Sequence, residues 1–202
     1  MATKLMSDIL QAGVNAGQVP AKTQQARDWF RAQAGQVTAS KVGEGKFIRQ
    51  ADSKRMETTF KMGHMYTFSY DPKHKKTLPY YDRYPLIFPI NKAKGGFLGI
   101  NMHYLSPPMR ARLMDQLYTV TTNETYNENT KLRISYDILE SASKFRFFKP
   151  TVKHYLNSQV RSKLVYIHPT EWDIALFLPT AKFVGANKRK VYLDSRSKIV
   201  GR

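Results

Sequence analysis

Six cationic side chains lie between Glu140 and Glu171 with no acidic residue among them. Phenylalanines and tyrosines are interleaved with these cations along the same stretch. A phosphate backbone binds such a surface, because each phosphate that a cation neutralises releases condensed counterions and no carboxylate opposes the contact. The stretch predicts either a surface that follows a phosphate backbone or a solvated face whose aromatic residues belong to the core. The six cations are Lys144, Arg146, Lys149, Lys153, Arg161 and Lys163.

Two further segments concentrate positive charge. One is Tyr70–Asp82, a stretch rich in turn residues and tyrosines, and long ordered loops of this kind are often functional. The other is the carboxyl-terminal segment, which has one acidic residue, Asp194, and is typical of an exposed tail. The loop either contacts phosphate or fills space beside the domain, and the tail either wraps a duplex or only adds solubility. The candidate contacts are Lys73, His74, Lys75 and Lys76 in the loop and Lys188, Arg189 and Lys190 in the tail.

The whole chain is strongly basic. Its 33 lysines and arginines against 15 aspartates and glutamates give a formal net charge of +18. A folded protein with this balance has a positive field over its surface, which favours a polyanionic partner. Anionic lipid is one such partner, yet the sequence has no apolar run near the roughly 18 residues that a membrane span needs. Nucleic acid is therefore the predicted partner, and no membrane is expected. The absence of cysteine excludes disulfides and thiolate metal sites.

Signatures of catalysis are weak in this sequence. Metal-assisted cleavage of a phosphodiester needs clustered carboxylates, often with a lysine nearby. Asp28 with Glu44-Gly45-Lys46 imitates that spacing, as does Asp71-Pro72-Lys73, but neither lies in a predicted strand that would hold metal ligands. The five histidines lack the i, i+4 spacing of a helical metal site, and no phosphate-cradling glycine motif is present. The sequence predicts a protein without catalysis, cofactor or metal.

Helical patterns dominate residues 1–61. Leu5–Leu10 has a helical pattern, and the small residues of Gly13–Val19 predict a flexible joint. Ala21–Ala34 is preceded by a proline and followed by a glycine, which predicts an amphipathic helix. Gly43–Lys61 is rich in cations and poor in large apolar side chains, as in a solvated connector. These residues are expected to form an N-terminal helical arm and its connector.

Strand and helix patterns alternate in residues 62–180, which are expected to form the compact domain. Tyr66 and Phe68 alternate with Met65, Thr67 and Ser69, which predicts a strand with one buried face. They and Phe88 are therefore predicted to face the core rather than to stack on bases. Two strands form a predicted hairpin, with Pro85 and Pro89 limiting the first strand to an edge or a bulged position. The predicted strands are His64–Tyr70, Tyr84–Ile90, Phe97–Tyr104, Lys131–Leu139 and Leu164–Ile167, although a helix could take the end of the fourth. The predicted helices are 106–118, 150–156 and Glu171–Leu178.

Short strands interleaved with short helices predict an α+β fold class. The expected architecture is a small mixed or antiparallel sheet with short helices and an N-terminal helical extension. An SH3-like barrel is one arrangement that such strands could adopt. A basic C-terminal segment, residues 181–202, would follow the compact domain.

Five segments together resemble a family of virion proteins from T-even-like, contractile-tailed bacteriophages, the DNA end protector family. The resemblance covers roughly residues 60–196. Its recurrent positions are mainly aromatics, prolines and glycines, so it does not locate a DNA site. The segments are MYTFSYDPK at Met65–Lys73, LPYYDRYPL at Leu78–Leu86, GFLGINMHYL at Gly96–Leu105, WDIALFLP at Trp172–Pro179 and DSR at Asp194–Arg196.

The resemblance implies a virion protein that joins the filled head and later enters the host cytoplasm. Such a protein would sit on the end of the packaged linear double-stranded DNA near the neck and shield it from host exonuclease. Its other partners would be virion proteins of the portal, neck or tail, and a homo-oligomer is open. No catalytic residue is carried over from the family motif.

Two hypotheses remain at this point. The first is a DNA-end-binding protein, which predicts salt-sensitive affinity for duplex DNA and a preference for ends over closed circles. The second is a structural protein of the neck, tail or baseplate, whose basic surface binds acidic neighbouring subunits. The sequence does not separate them, because both need a folded, basic and catalytically silent domain.

Overall fold

Residues 3–20, 22–43, 45–144 and 148–200 are described by the computed structural model. Within them, the chain forms eight α-helices and two antiparallel sheets. The helices are α1 Lys4–Asn15, α2 Gln24–Gly35, α3 Ala39–Val42, α4 Lys46–Arg49, α5 Pro107–Thr121, α6 Glu128–Lys144, α7 Trp172–Phe177 and α8 Lys188–Val200. The strands are β1 Met56–Glu57, β2 Met65–Thr67, β3 Tyr81–Asp82, β4 Leu86–Ala93, β5 Gly96–Asn101, β6 Val152–Leu156, β7 Leu164–Ile167 and β8 Phe183–Val184.

The main sheet has six strands in the order β1-β7-β2-β4-β5-β6, and β3 pairs with β8 in a small second sheet. Every pairing is antiparallel, so the predicted α+β class with an antiparallel sheet is confirmed. The SH3-like barrel is not formed by the described residues, because β1 and β6 remain the two edges of an open sheet.

Both faces of the sheet are buried, each in its own cluster. Met65 and Phe88 pack with the helices in the larger cluster, whereas Tyr66 and Phe68 lie in an aromatic cluster on the other face. The core positions predicted for Tyr66, Phe68 and Phe88 are confirmed, since each is fully buried. The expectation of a single buried face in this strand was wrong, because β2 is an interior strand with all three residues buried.

The predicted hairpin is formed by β4 and β5. Its register shifts between Pro89 and Asn91, so the proline sits at the predicted bulge. Gly96 begins β5 directly against the backbone of Tyr155 in β6, where a Cβ would collide with the carbonyl group. This close approach accounts for a glycine at that position.

Two predictions between residues 131 and 156 were wrong. Lys131–Leu139 lies in helix α6, and the buried residues Ser135, Leu139 and Ala142 show why: they recur at helical spacing along one face. The helix expected at 150–156 is a 3₁₀ turn at Lys149–Thr151 followed by strand β6. The pairing of β6 with β5 satisfies its backbone, which local pattern alone does not reveal.

The N-terminal helices contribute to the common core. Met6, Leu10 and Phe30 belong to the same buried cluster as Trp172. Helix α1 continues through Gly13, where a Cβ would overlap the Phe30 ring, so this glycine permits close packing rather than a flexible joint. The predicted helix at 21–34 starts at Gln24, because the Thr23 hydroxyl accepts a hydrogen bond from the Ala26 N–H at 3.1 Å.

The expected connector at 43–61 is only partly solvated. Phe47 and Ile48, in the short helix α4, are buried in the main cluster. Two apolar residues in a basic stretch form no recognisable helical or strand pattern in the sequence. In the structure, they anchor this segment to the main core. The proposed boundaries at residues 61 and 180 stay predictions.

Helix α2 is tied to two other helices by the buried Arg31. Its Nε donates to Asp173 Oδ1 of α7 at 2.7 Å, and its Nη2 donates to Asp115 Oδ1 of α5 at 2.7 Å. Burial raises the pKa of Asp173, and Arg31 opposes that shift. A carboxylate in this position therefore depends on its guanidinium partner.

Arg31→Ala leaves the Asp173 carboxylate buried without that partner, so we expect the free energy of unfolding to fall by roughly 3–5 kcal/mol. Arg133→Ala removes an exposed arginine from α6 and is expected to change it by less than about 0.5 kcal/mol. Chemical denaturation followed by circular dichroism measures both values. Equal effects of the two substitutions would contradict the anchoring role of Arg31.

Candidate nucleic-acid interface around the carboxyl-terminal helix

The basic segment predicted to be an exposed tail contains helix α8. Its start is capped by Asn187, whose side-chain oxygen accepts a hydrogen bond from the Lys190 N–H at 2.8 Å. Val191 is fully buried and Ser195 is nearly so, which fixes one face of the helix on the domain. The helix lies against the 3₁₀ helices Met102–Tyr104 and Lys149–Thr151. Its exposed cations are Lys188, Arg189, Lys190, Arg196 and Lys198.

Three lysines from three elements meet where α8 contacts the domain. Lys149, Lys153, Lys198 and Pro150 line a cavity of about 330 Å³, called the lysine cavity below. Among the residues that the structure describes, no carboxylate lines it. Lys198 belongs to α8, so the cavity joins the tail prediction to the basic stretch 144–163.

Lys153 is the most constrained cation of the lysine cavity. Its Nζ lies 4.1 Å from the centroid of the Tyr104 ring, a cation–π contact. Burial, reinforced by the nearby Lys198, lowers the pKa of Lys153 to about 8. A half-buried ammonium group beside another cation is stabilised by an anion that enters the cavity.

A second depression runs along another face of α8. It has a volume of about 760 Å³, and three arginines stand among its mainly apolar lining. Leu193 in this lining is 55% exposed. The depression, called the arginine groove, is lined by Tyr104, Leu105, Ser106, Pro108, Met109, Arg112, Arg189, Tyr192, Leu193, Ser195 and Arg196. Tyr104 also underlies Lys153, so groove and lysine cavity adjoin, and together they are called the α8 surface.

A buried hydrogen-bond network holds Tyr104 in place. Asp82 Oδ2 accepts hydrogen bonds from the Asn101 side chain at 3.1 Å and from His103 Nδ1 at 2.7 Å. Asp82 Oδ1 accepts from the Tyr84 N–H at 3.1 Å. Asn101 Oδ1 in turn accepts from the His103 N–H at 2.9 Å. The network fixes the start of the 3₁₀ helix that ends at Tyr104.

His103 is neutral in this network. Its ring is fully buried, and this burial lowers the pKa of His103 although Asp82 opposes the shift. Since a carboxylate only accepts, Nδ1 carries the proton, and Nε2 is left to accept from the Thr180 hydroxyl at 3.2 Å. Aspartate, histidine and hydroxyl follow one another as in a hydrolytic triad. Because the His103 ring is fully buried, a substrate cannot reach it. The arrangement therefore positions the backbone of the 3₁₀ helix rather than performing hydrolysis.

The buried Arg110 connects helix α5 to helix α8. It donates to the carbonyl oxygens of Leu105 and Leu176 at 2.9 and 2.6 Å. It also donates to the Tyr192 hydroxyl at 2.9 Å, which holds this side chain in the arginine groove. Arg110, Asp82 and Asn101 were not predicted to contribute to the site, because several of their partners are distant in the chain.

The structure brings only some of the predicted phosphate contacts together. Lys149 and Lys153 meet in the lysine cavity, and Arg189 lines the arginine groove. Lys188 is exposed at the start of α8, and Lys190 pairs with Asp194 at 3.3 Å. Arg112, Arg196 and Lys198 were not among the candidate contacts.

The other candidates lie in separate places. Arg161 and Lys163 line a different cavity, of about 810 Å³, beside the aromatic cluster. Lys144 pairs with Glu140 at 3.3 Å near the end of α6, and Arg146 lies outside the described residues. The loop candidates are all exposed, and one of them is paired with Asp71 at 2.9 Å. These loop residues are Lys73, His74, Lys75 and Lys76, of which Lys75 is the paired one.

The described carboxylates that imitate the spacing of a nuclease metal site form ion pairs with basic side chains. Asp71 accepts from Lys75, and this contact lowers the pKa of Asp71. Asp28 pairs with Arg31 at 3.1 Å, and Glu44 lies outside the described residues. Within the described ranges, no group of three or more potential metal ligands is found. None of the helices described there has the length and apolarity to cross a membrane.

One protein family matches the chain over residues 14–199; its description is Phage T4 terminal DNA protecting protein. The chain belongs to this family. The resemblance seen in five short segments is thereby confirmed, and the match takes in helix α2 as well as all the residues that line the α8 surface. No curated protein and no solved structure matches the chain. Family membership therefore rests on the family match, and the placement of the site rests on this fold.

Asp82→Asn replaces an acceptor of three hydrogen bonds with a side chain that has only one acceptor oxygen. We expect the free energy of unfolding to fall by roughly 1–3 kcal/mol, because a buried donor is left unsatisfied. Asp137→Asn, at an exposed position of α6, is the matched control and is expected to be near neutral. Denaturant titration measures the difference. An unchanged stability in Asp82→Asn would show that the network does not organise this region.

The constrained environment of Lys153 predicts a titration midpoint near 8 for its ammonium group in the free protein. Lys198→Gln removes a neighbouring positive charge, so it should raise the pKa of Lys153, whereas Lys41→Gln at an exposed position of α3 should leave it unchanged. Side-chain NMR of labelled lysine follows the titration. A midpoint at the ordinary lysine value would mean that the lysine cavity is open to solvent.

Proposed function

We propose that this protein is a non-catalytic phage virion protein that binds the end of the packaged linear DNA near the head–tail neck. Bound there, it protects the end from host exonuclease. The observation that carries the proposal is the α8 surface. It groups six cations around apolar and aromatic side chains, with no carboxylate in the lining that the structure describes. The cations are Lys149, Lys153, Lys198, Arg112, Arg189 and Arg196.

Electrostatics supplies the affinity for duplex DNA. The formal net charge of +18 attracts a polyanion from any direction, and the α8 surface concentrates cations where they reach successive phosphates. Arginine binds phosphate through a planar pair of donors, so Arg112, Arg189 and Arg196 also orient the duplex. This part of the binding follows charge and carries no preference for base sequence.

The apolar lining of the arginine groove supplies the preference for an end. A duplex end exposes the flat face of its last base pair, which is hidden everywhere else along the DNA. Tyr192 and the exposed Leu193 offer the groove aromatic and apolar surface to cover such a face, beside arginines that contact the flanking phosphates. An end covered in this way is closed to an exonuclease without any chemistry by the protein.

The remaining predicted contacts have a supporting role in this proposal. Lys73 and Lys76 are exposed in the loop between β2 and β3, and Arg161 and Lys163 stand at the cavity beside the aromatic cluster. They contribute to the field that draws DNA to the protein. The family description supports protection of terminal phage DNA. Placement in the virion, contacts with portal, neck or tail proteins, and action in the host cytoplasm are further parts of the proposal.

A structural neck, tail or baseplate protein is the second candidate. It is favoured by the exposed Leu193 among three arginines, because an acidic segment of a neighbouring subunit with apolar side chains would complement the same groove. In that case the arginine groove would bind protein in the particle, and DNA would play no part.

The two candidates differ in how the purified protein binds a blunt linear duplex and the same sequence as a covalently closed circle. We expect tighter binding to the linear form, affinity that falls with salt by about 0.9 log units per log unit of salt for each phosphate contact, and protection of the ends from exonuclease. Arg189→Gln with Arg196→Gln should weaken end binding and flatten the salt slope, while Arg133→Gln, on α6, should do neither. Weak and equal binding to both DNA forms would favour the structural candidate.

A further inference from the structure

The lysine cavity has a shape and charge that the binding of a DNA backbone does not require. Backbone phosphates lie on the outside of a duplex and are met by exposed cations. Here Lys149 and Lys198 are exposed, but one ammonium group, that of Lys153, is half-buried on an aromatic ring, and all three lysines line the same space of about 330 Å³. A concave, carboxylate-free lining of this kind fits a compact anion.

We propose that the lysine cavity binds a terminal phosphomonoester, the phosphate group at the end of a DNA strand. The proposal deepens the function proposed above and rests on it. It assigns the α8 surface two tasks: the arginine groove covers the last base pair, and the lysine cavity holds the phosphate at the chain end.

The charge of the two kinds of phosphate favours the monoester. A phosphomonoester carries about −1.5 to −2 charges at neutral pH, whereas a backbone phosphodiester carries one. The higher charge offsets the repulsion of Lys149, Lys153 and Lys198, which approach one another from three separate elements. A monoester is also bonded to the strand through a single oxygen, so its three other oxygens are free to contact several lysines at once.

The position of the cavity agrees with this division of tasks. Tyr104 lines the arginine groove with one part of its surface and holds Lys153 with its ring. A base pair resting in the groove therefore places its terminal phosphate beside the cavity. The Asp82 network holds the 3₁₀ helix that carries Tyr104, the residue that contacts both parts.

The proposal is tested with the full-length protein and one blunt duplex prepared in three forms, with hydroxyl groups at every end, with 5′-phosphates or with 3′-phosphates. We expect one phosphorylated form to bind about tenfold more tightly than the hydroxyl form, as for one charge-assisted contact. Lys153→Gln and Lys198→Gln should each bring the ratio close to one, and Lys41→Gln should keep it. Circular dichroism checks that each variant is folded. Lys198 is exposed, so the Lys198→Gln variant tests the cavity even if Lys153→Gln misfolds.

Equal affinity of the wild-type protein for all three duplexes, with its preference for ends over circles intact, would overturn this inference and leave the proposed function standing. A phosphate preference that survives in Lys198→Gln and in folded Lys153→Gln would also overturn the assignment to the cavity. Loss of any preference for ends would overturn the proposed function itself. Binding of a phosphomonoester in the cavity is then tested by titrating the protein with thymidine 5′- or 3′-monophosphate and, as a control, with thymidine. A shift of the Lys153 side-chain NMR signal with a monophosphate but not with thymidine would support the assignment. No shift with either monophosphate would overturn it.

Discussion

The buried carboxylate of Asp82 is the constraint on which the candidate site depends. Removed from water, it must be satisfied by hydrogen bonds, and its donors come from Asn101, His103 and the backbone of Tyr84. These bonds join β3, the end of β5 and the 3₁₀ helix after it. Tyr104 ends that helix, and Lys153 and the arginine groove are both arranged around the Tyr104 ring.

The few acidic residues of this chain are used mainly within the protein. Asp82 and Asp173 are buried anchors, and Asp71, Asp115 and Glu140 pair with neighbouring cations. With 33 lysines and arginines against 15 acids, this leaves the cations of the α8 surface without carboxylates in its described lining. The mutual repulsion of these cations destabilises the folded state, and a bound polyanion reduces that repulsion.

An end-binding role asks for more than positive charge, since charge alone does not distinguish an end from the middle of a duplex. In the proposed function, two features of the α8 surface make that distinction: apolar area beside arginines, and a concave cluster of lysines. Both lie within the part of the chain that matches the family of the phage terminal DNA protecting protein. An acidic protein partner would use the groove but has no evident need of the cavity, so the cavity favours the DNA candidate.

The sequence by itself determined the charge, the family, the α+β class and the elements with strong local signals, such as helix α5, the β4–β5 hairpin and strand β7. It placed Lys149 and Lys153 in one basic stretch but did not predict that Lys198 lies beside them. The reason is that residue periodicity identifies which side chains share a face of one element, and not which elements meet. Helix α6 was misassigned for a related reason, since a short apolar run suits a strand or a helix until its partners are known. Only the tertiary structure decided which cations converge, because that depends on buried contacts such as those of Asp82 and Arg110 between residues far apart in the chain.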